Sequence, residues 1–338
     1  MSLLEIRNLE INYRSRNGLA RAVDRVSLSL DAGDTLGLVG ESGCGKTTVA
    51  KAVMRLLPEK KALVRGEIRF KGRDLMKLDW KEIRKIRWEE IALISQSAMN
   101  ALDPVHRVGD QVMEPMIYHR NVSKAIARNR MAEVFGLVGL NYDRAFDYPH
   151  QFSGGMKQRV VIAMALMLEP DLIIADEPTT ALDVLVQDQI IHQIKELLSR
   201  LNHAFILITH DIAVVAETCR RMIVMYAGKI MEYAETEAIF YDPYNPYTLG
   251  LQNAFPSVKG PKRELISIPG FPPSLMDPVG GCRFAARCPF SLPRCLKEEP
   301  ALSEVGPGHF SACHRHVDVA EIRERARRFE TWLRDEAA

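Results

Sequence analysis

The chain has 338 residues, of which 47% are hydrophobic and 26% are charged, a composition typical of a globular protein with two or three domains. Its 45 basic and 43 acidic residues nearly balance, so its charge does not indicate nucleic acid or an anionic membrane as a partner. The longest apolar stretch, Val160 to Leu168, has nine residues, whereas a membrane-spanning helix needs about 20. The first residues carry Glu5 and Glu10 and no apolar core, so we expect no secretory signal and a cytosolic location.

Short apolar runs bounded by polar residues, glycine or proline predict buried parallel strands in the first part of the chain. They are Thr35–Val39, Leu172–Ala175 and Phe205–Ile208. Between the last two runs, apolar residues at helical spacing predict a helix over 189–201, so that strand, helix and strand form a crossover unit. Another helical pattern follows Ser123 and ends at Gly139, inside a helical insertion of about residues 97–158.

Proline marks the main change along the chain. Six prolines lie in residues 1–235 and twelve lie in residues 236–338, so the second part is rich in loops. We therefore predict a domain over residues 1–235, followed by a C-terminal extension over residues 236–338.

Residues Gly40 to Thr47 read Gly-Glu-Ser-Gly-Cys-Gly-Lys-Thr and fit the phosphate-binding pattern Gly-x4-Gly-Lys-Ser/Thr. They follow a predicted strand and precede a helical run, as this loop requires. Its glycines let backbone N–H groups surround a β-phosphate, Lys46 reaches the β- and γ-phosphates, and the Thr47 hydroxyl can bind Mg²⁺. The residues expected to contact ATP here are Gly40, Ser42, Gly43, Cys44, Gly45, Lys46, Thr47 and Thr48.

Two carboxylates, Asp176 and Glu177, follow the apolar run that begins at Leu172. Open α/β sheets bind ligands at the carboxyl ends of their strands. We expect Asp176 to hold Mg²⁺, directly or through water, and Glu177 to act as the general base on the attacking water.

Residues 152–159 read Phe-Ser-Gly-Gly-Met-Lys-Gln-Arg and lie just before the helix that leads to the Asp176 strand. This segment closely resembles the signature motif of ABC ATPases, and the resemblance covers about residues 3–235. It implies an α/β fold with an ABC-type phosphate-loop core, a mostly parallel sheet, an antiparallel β subdomain and the helical insertion. It also implies a head-to-tail dimer in which four signature residues contact ATP on the opposite subunit: Ser153, Gly154, Gly155 and Gln158.

The same resemblance suggests roles for four other residues. Gln96 resembles the Q-loop glutamine, Asp183 in Ala-Leu-Asp the D-loop aspartate, and His210 the switch histidine. Tyr13 resembles the aromatic residue that stacks on adenine. The expected catalytic residues are thus Glu177, His210 and Gln96, and the expected Mg²⁺ ligands are Thr47, Gln96 and Asp176.

The extension resembles the C-terminal part of ATPases that serve dipeptide, oligopeptide and nickel importers. The similarity lies in Asn245-Pro-Tyr-Thr, Ile268-Pro-Gly-Phe-Pro-Pro and the segment from Gly281 to Pro289. Because known members hold an iron-sulfur cluster there, the resemblance implies a [4Fe-4S] cluster on Cys282, Cys288, Cys295 and Cys313. A four-thiolate zinc site and free thiols are the alternatives. The nearby histidines are expected at the surface: His309, His314 and His316.

Together these features predict the ATP-hydrolysing subunit of a peptide importer at the cytoplasmic face of a prokaryotic cell membrane. The partners implied are a second ABC ATPase chain, two transmembrane permease subunits and an extracellular or periplasmic substrate-binding protein. The segment from Gln96 to Asp110, especially Asn100 to Pro104, would form part of the groove that docks on the permeases. The alternatives are an importer of nickel, glutathione or oligosaccharide, a soluble ABC ATPase of DNA repair or translation, and an unrelated phosphate-loop enzyme such as a kinase.

Overall fold

The structure is a computed structural model that describes residues 2–16, 18–95, 101–179, 182–200, 203–254, 266–276 and 280–333. The strands are β1 (Ser2–Ser15), β2 (Gly18–Asp31), β3 (Thr35–Val39), β4 (Ala62–Phe70), β5 (Arg73–Asp74), β6 (Ile91–Ile94), β7 (Leu172–Asp176), β8 (Ala204–Thr209), β9 (Arg221–Tyr226), β10 (Lys229–Glu235), β11 (Ser303–Gly306) and β12 (His309–Ser311). The helices are α1 (Lys46–Val53), α2 (Trp80–Ile86), α3 (Val108–Arg120), α4 (Lys124–Leu137), α5 (Gly154–Leu166), α6 (Val184–Arg200), α7 (Ile212–Thr218), α8 (Thr236–Tyr241), α9 (Pro246–Asn253) and α10 (Val319–Ala326).

The larger of two sheets has the strand order β11-β12-β10-β9-β3-β8-β7-β6. Strands β9, β3, β8, β7 and β6 run parallel, whereas β10, β12 and β11 pair antiparallel. The three strands predicted from apolar runs are confirmed as β3, β7 and β8, each within one residue at either end. The predicted α/β fold with a mostly parallel sheet is therefore confirmed.

Apolar residues on both faces explain why these strands read as continuous hydrophobic runs. In β7, Leu172 and Ile174 pack with the smaller sheet and α1, while Ile173 and Ala175 pack with the helices on the opposite face. The smaller sheet is antiparallel, with the order β2-β1-β4-β5. It supplies the antiparallel β subdomain that the family resemblance implies.

Helices α3, α4 and α5 pack against one another in the region predicted as a helical insertion. The predicted helix after Ser123 is confirmed as α4, because the Ser123 hydroxyl accepts a hydrogen bond from the Ile126 N–H at its first turn. Gly139, at φ +66°, follows its end. Helix α6 begins at Val184, five residues before the predicted start at 189.

The C-terminal extension is joined to the larger sheet. Strand β12 pairs with β10, with Glu232 opposite Ser311 and Tyr233 opposite Phe310. The predicted boundary near Glu235 falls on the last residue of β10 and stays a prediction. His309 was expected at the surface, and this expectation is wrong: it is 5% exposed, and its Nε2 lies 2.7 Å from a carboxylate oxygen of the fully buried Glu232.

In the described ranges, no helix combines the length and the apolar character that a membrane crossing requires.

Candidate functional site

The phosphate-binding loop connects β3 to α1 and depends on two glycines that other residues cannot replace. Gly40 has φ +151°, and a Cβ there would lie 2.1 Å from the Met225 carbonyl oxygen. Gly45 has φ +108°, and a Cβ there would lie 2.4 Å from the Ala22 carbonyl oxygen. Helix α1 begins directly after Gly45, and the N–H groups of a first helical turn have no partner within the helix. The loop and helix end therefore form an anion site.

Lys46 lies at the centre of this loop and is 4% exposed. Its Nζ donates hydrogen bonds to the carbonyl oxygens of Gly40 at 2.6 Å and Glu41 at 3.0 Å. It also lies 3.5 Å from the Cys44 sulfur. Burial raises the pKa of the Cys44 thiol. Ser42 and Gly43 lie at the exposed tip of the loop.

Thr47 and Asp176 meet where α1 faces the end of β7. The Thr47 hydroxyl donates to the Asp176 carboxylate at 3.0 Å. Burial, assisted by the neighbouring Glu177 charge, raises the pKa of Asp176, although the Thr47 hydrogen bond opposes the shift. A buried carboxylate beside a hydroxyl matches the oxygen ligands that Mg²⁺ prefers. The pair therefore fits the predicted metal site.

Glu177 and His210 follow the neighbouring parallel strands β7 and β8. Glu177 has φ +48°, a conformation that costs free energy and is concentrated at functional sites. Its N–H donates to the Ile208 carbonyl at 2.8 Å, which fixes the backbone there. The Nδ1 of His210 lies 3.7 Å from the Glu177 carboxylate, and the His210 side chain is 60% exposed. The sheet edge thus places an acid and an imidazole side by side.

Tyr13 and Thr48 bring the smaller sheet to the site. The Tyr13 hydroxyl lies 3.4 Å from the Thr48 hydroxyl, and the Tyr13 side chain is half-buried on β1. The aromatic ring therefore stands beside helix α1, close to the phosphate loop.

The predicted signature residues lie at the start of α5. The Ser153 hydroxyl caps this helix by accepting from the Met156 N–H at 3.3 Å. Gly155 packs against α6 so closely that a Cβ there would lie 2.5 Å from Val186. Asp183, the predicted D-loop residue, accepts a hydrogen bond from the Val186 N–H at 2.9 Å, so it lies near the predicted signature residue Gly155, which Val186 contacts.

Gln158 lies one turn along α5, where its buried Nε2 has no hydrogen-bond partner among the described residues. Parts of three predictions lie outside the described residues: residues 96–100 of the docking segment, including Gln96, Ala181 of the Ala-Leu-Asp motif, and residue 201 of the predicted helix.

The predicted [4Fe-4S] cluster is wrong. In the described residues, no group of three or more His, Cys, Asp or Glu side chains is arranged to hold a metal ion, which also leaves the zinc alternative without support. The four cysteines line a cavity of about 20 Å³, roughly the space of one water molecule. Burial raises the pKa of the Cys282 and Cys288 thiols, and it raises the pKa of the Cys313 thiol to about 12.

One set of contacts near the site was missed from the sequence. Glu41, a variable position of the phosphate loop, contacts Tyr247 and Arg287 of the C-terminal extension. The signal available was the pair of arginines, Arg283 and Arg287, placed between cysteines in a segment otherwise rich in small and apolar residues. Buried arginine needs a partner, but the sequence does not name that partner.

Two family models match the chain. Residues 23–180 match the model described as ABC transporter, and residues 231–295 match the one described as oligopeptide/dipeptide transporter, C-terminal region. The chain is 46% identical to a probable peptide ABC transporter ATP-binding protein of Sinorhizobium fredii, over 95% of this chain and 97% of that protein. It is also 46% identical to the dipeptide transport ATP-binding protein of Lactococcus lactis subsp. cremoris, over 91% of this chain and 89% of that protein.

A solved structure shares the fold. It is a dimeric ATP-binding cassette in a post-hydrolysis state, bound to ADP and Pi. The TM-score is 0.62 at 28% sequence identity, and the match covers 69% of this chain and 98% of that one.

Proposed function

The chain belongs to the ATP-binding proteins of the ABC transporter family, in the oligopeptide and dipeptide branch, and on this basis we propose that it hydrolyses ATP to power the import of di- and oligopeptides. The observation that carries the proposal is the sheet edge at which the phosphate loop, the Thr47–Asp176 pair and the Glu177–His210 pair meet. The chain would act at the cytoplasmic face of the membrane, docked on two permease subunits that receive cargo from a substrate-binding protein.

The phosphate loop binds the triphosphate in this proposal. Backbone N–H groups of the loop and the first turn of α1 surround the β-phosphate, and Lys46 exchanges its loop carbonyls for phosphate oxygens. Thr47 and Asp176 would hold Mg²⁺, which neutralises phosphate charge when it is bound. Tyr13, beside Thr48, is placed to stack on the base.

Hydrolysis follows from the position of Glu177. Its carboxylate accepts a proton from water as the water oxygen attacks the γ-phosphorus, and the bond from that phosphorus to the ADP oxygen breaks. His210, 3.7 Å from this carboxylate, holds the attacking water and the γ-phosphate. The fixed Glu177 backbone keeps the base in place, because its N–H is bonded to β8.

A second ATPase chain completes the site. The N-terminus of α5, with Ser153 and Gly154, offers N–H donors to a γ-phosphate, and the related solved cassette is dimeric. ATP bound by one subunit would thus be covered by the signature residues of the other. Hydrolysis removes the γ-phosphate that joins them, and the pair opens.

Peptide is the proposed cargo because both relatives compared above are described as peptide or dipeptide transport proteins. Nickel, glutathione and oligosaccharide are not favoured by any of these similarities. The same holds for a soluble ABC ATPase of DNA repair or translation and for a kinase.

The substitution Glu177→Gln tests the role of the general base. We expect the variant to bind ATP, to accumulate as a closed dimer and to lose at least about a hundredfold in ATPase rate, the usual contribution of a general base. ATP binding, dimer mass and phosphate release are measured on the same preparation. Glu59→Gln is the matched control, because the Glu59 side chain is 93% exposed. An unchanged ATPase rate in Glu177→Gln removes this residue from the mechanism.

A further inference from the structure

The C-terminal extension contacts the phosphate loop through buried polar groups. The N–H of Glu41 donates to the Tyr247 hydroxyl at 2.9 Å, and Arg287 donates to the Glu41 carboxylate at 2.7 Å. Tyr247 is 0% exposed and Arg287 is 7% exposed. The extension therefore bonds to both the main chain and the side chain of Glu41, which directly follows Gly40.

Arg287 is itself fixed by its surroundings. Its Nε donates to the Pro269 carbonyl at 2.9 Å, and its Nη2 donates to the Ile268 carbonyl at 3.2 Å. Its Nη1 also reaches the Tyr226 hydroxyl at 3.1 Å. Burial disfavours the charged form, but the bonds to Glu41 and Tyr226 outweigh it and raise the pKa of Arg287. The guanidinium thus stays charged and holds Glu41 in one orientation.

Aromatic rings form a rigid support below these contacts. Tyr226 of β9, Tyr247 of α9 and Phe284 of the extension are all less than 2% exposed. Their ring centroids lie 4.6 to 5.4 Å apart. Close-packed rings have little freedom to move, so the Tyr247 hydroxyl is held in place.

A second route joins the extension to the other side of the loop. Arg283 donates to the Ala227 carbonyl, and the adjacent Gly228 N–H donates to the Cys44 carbonyl at 2.9 Å. The same arginine pairs with Asp24 of β2. The turn that supports Cys44 is therefore held by the extension as well.

We propose that the C-terminal extension positions the phosphate loop for ATP, through Arg287 and Tyr247 acting on Glu41. Neither residue needs to touch the nucleotide, so both are positioning residues. Lys46 bonds to the Glu41 carbonyl from inside the loop, while Tyr247 bonds to the Glu41 N–H from outside. The loop backbone is thus oriented from both sides before ATP arrives, which lowers the cost of binding. The inference rests on the ATP site proposed above.

Nucleotide affinity distinguishes an extension that positions the phosphate loop from one that only stabilises the fold. We expect Arg287→Gln and Glu41→Gln, in the full-length chain, each to weaken the Kd of a fluorescent ATP analogue about tenfold, the order found for outer groups that orient a binding site. The double variant should be no weaker than the worse single one, because both changes break the same contact. In the assembled transporter, KM for ATP should rise while kcat stays within about twofold.

Arg294→Gln is the matched control, since Arg294 lies in the same extension in an exposed pair with Glu298. Tyr247→Phe keeps the aromatic packing and removes one hydroxyl, so it tests the proposal if Arg287→Gln does not fold. We expect the Kd of this variant for the ATP analogue to rise about threefold, the smaller effect of losing a single neutral hydrogen bond. Folded variants with wild-type Kd, or effects that multiply in the double variant, overturn the proposal. Lys46→Ala tests the ATP site separately. If this variant binds nucleotide as well as the wild type does, the proposed function is contradicted. If Lys46→Ala loses nucleotide binding but Arg287→Gln has the wild-type Kd, only this inference is contradicted.

Discussion

The edge of the larger sheet and the C-terminal extension both carry ionisable side chains, but those at the sheet edge include an exposed one and those in the extension are buried and bonded within the protein. At the sheet edge, Glu177 and His210 follow strand ends, and His210 is 60% exposed. In the extension, Arg287 is 7% exposed and each of its nitrogens has a partner within the protein. Polar groups that face a ligand can do chemistry, whereas polar groups whose bonding capacity is used internally hold other groups in place.

The cysteines of the extension sharpen the same contrast. The family resemblance implied a metal cluster on these cysteines, but the described residues hold no group of three or more ligand side chains arranged for a metal ion. The cavity between them has room for about one water molecule. The cysteines therefore pack in the interior of the extension and take no part in the chemistry proposed for the sheet edge.

The largest effect is expected for Gly40→Ala at the sheet edge. Gly40 has φ +151°, and the new Cβ would lie 2.1 Å from a carbonyl oxygen. We therefore expect the free energy of unfolding to fall by about 3 to 4 kcal/mol and nucleotide binding to be lost as well. Urea unfolding and ATP binding measure the two effects. Gly72→Ala is the control: Gly72 has φ +76° but nothing within 4 Å of the added atom, so it should cost about 1 kcal/mol. Equal losses in the two variants would show that the loop has no special steric demand.

A smaller effect is expected for Glu232→Ala, where β10 meets the extension. This fully buried carboxylate accepts from the N–H groups of Tyr244 and Asn245 and contacts His309, so its removal leaves buried groups without partners. We expect a loss of about 2 to 3 kcal/mol in the free energy of unfolding. ATP affinity should change by less than about threefold at a temperature where the variant is folded, because the Arg287 contact is intact.

The exposed variant Glu298→Ala is the matched control and should cost less than about 1 kcal/mol. If Glu232→Ala weakens ATP binding as much as Arg287→Gln does, the extension supports the loop only through its overall stability.

The smallest effect is expected for Asp24→Asn, and it depends on pH. Burial alone would raise the pKa of Asp24, but the charges of Lys229 and Arg283 outweigh it and hold this pKa below its usual value. The stabilisation is therefore complete above the unfolded pKa of about 3.9 and is lost as the pH falls below that value. We expect the wild type to exceed the variant by about 1 kcal/mol near neutral pH and the difference to shrink below about pH 4.

Urea unfolding at a series of pH values measures this difference, with the exposed Asp31→Asn as control. A difference that grows as the pH falls would contradict the role of the Asp24 charge.

Much of the sheet edge follows from the sequence, because its signals are local. Strands β3, β7 and β8 are buried on both faces and so appear as unbroken apolar runs. The functional residues directly follow these strands. Helix α6 starts earlier than predicted because Val184 and Leu185, at 81% and 77% exposed, do not continue the buried face.

The arrangement of the extension could not be predicted in this way. Glu41 and Arg287 are 246 positions apart, and no periodicity records which distant residue a buried arginine contacts. Strand β12 has only three residues, too few for an alternating pattern to stand out, so its pairing with β10 and the burial of His309 were missed. The resemblance that implied a cluster does not report how closely the cysteines pack, and the cavity between them has room for about one water molecule.

Uptake of a labelled dipeptide into vesicles that hold the assembled transporter is the most direct test of ATP-powered import by this chain. With the wild-type chain or the exposed control Glu59→Gln, we expect uptake that requires ATP and a binding protein loaded with peptide. With Glu177→Gln, we expect ATP to bind and uptake to stop. Dipeptide uptake at the wild-type rate with Glu177→Gln, or no uptake of any di- or oligopeptide by a wild-type complex that hydrolyses ATP, would contradict the proposed function.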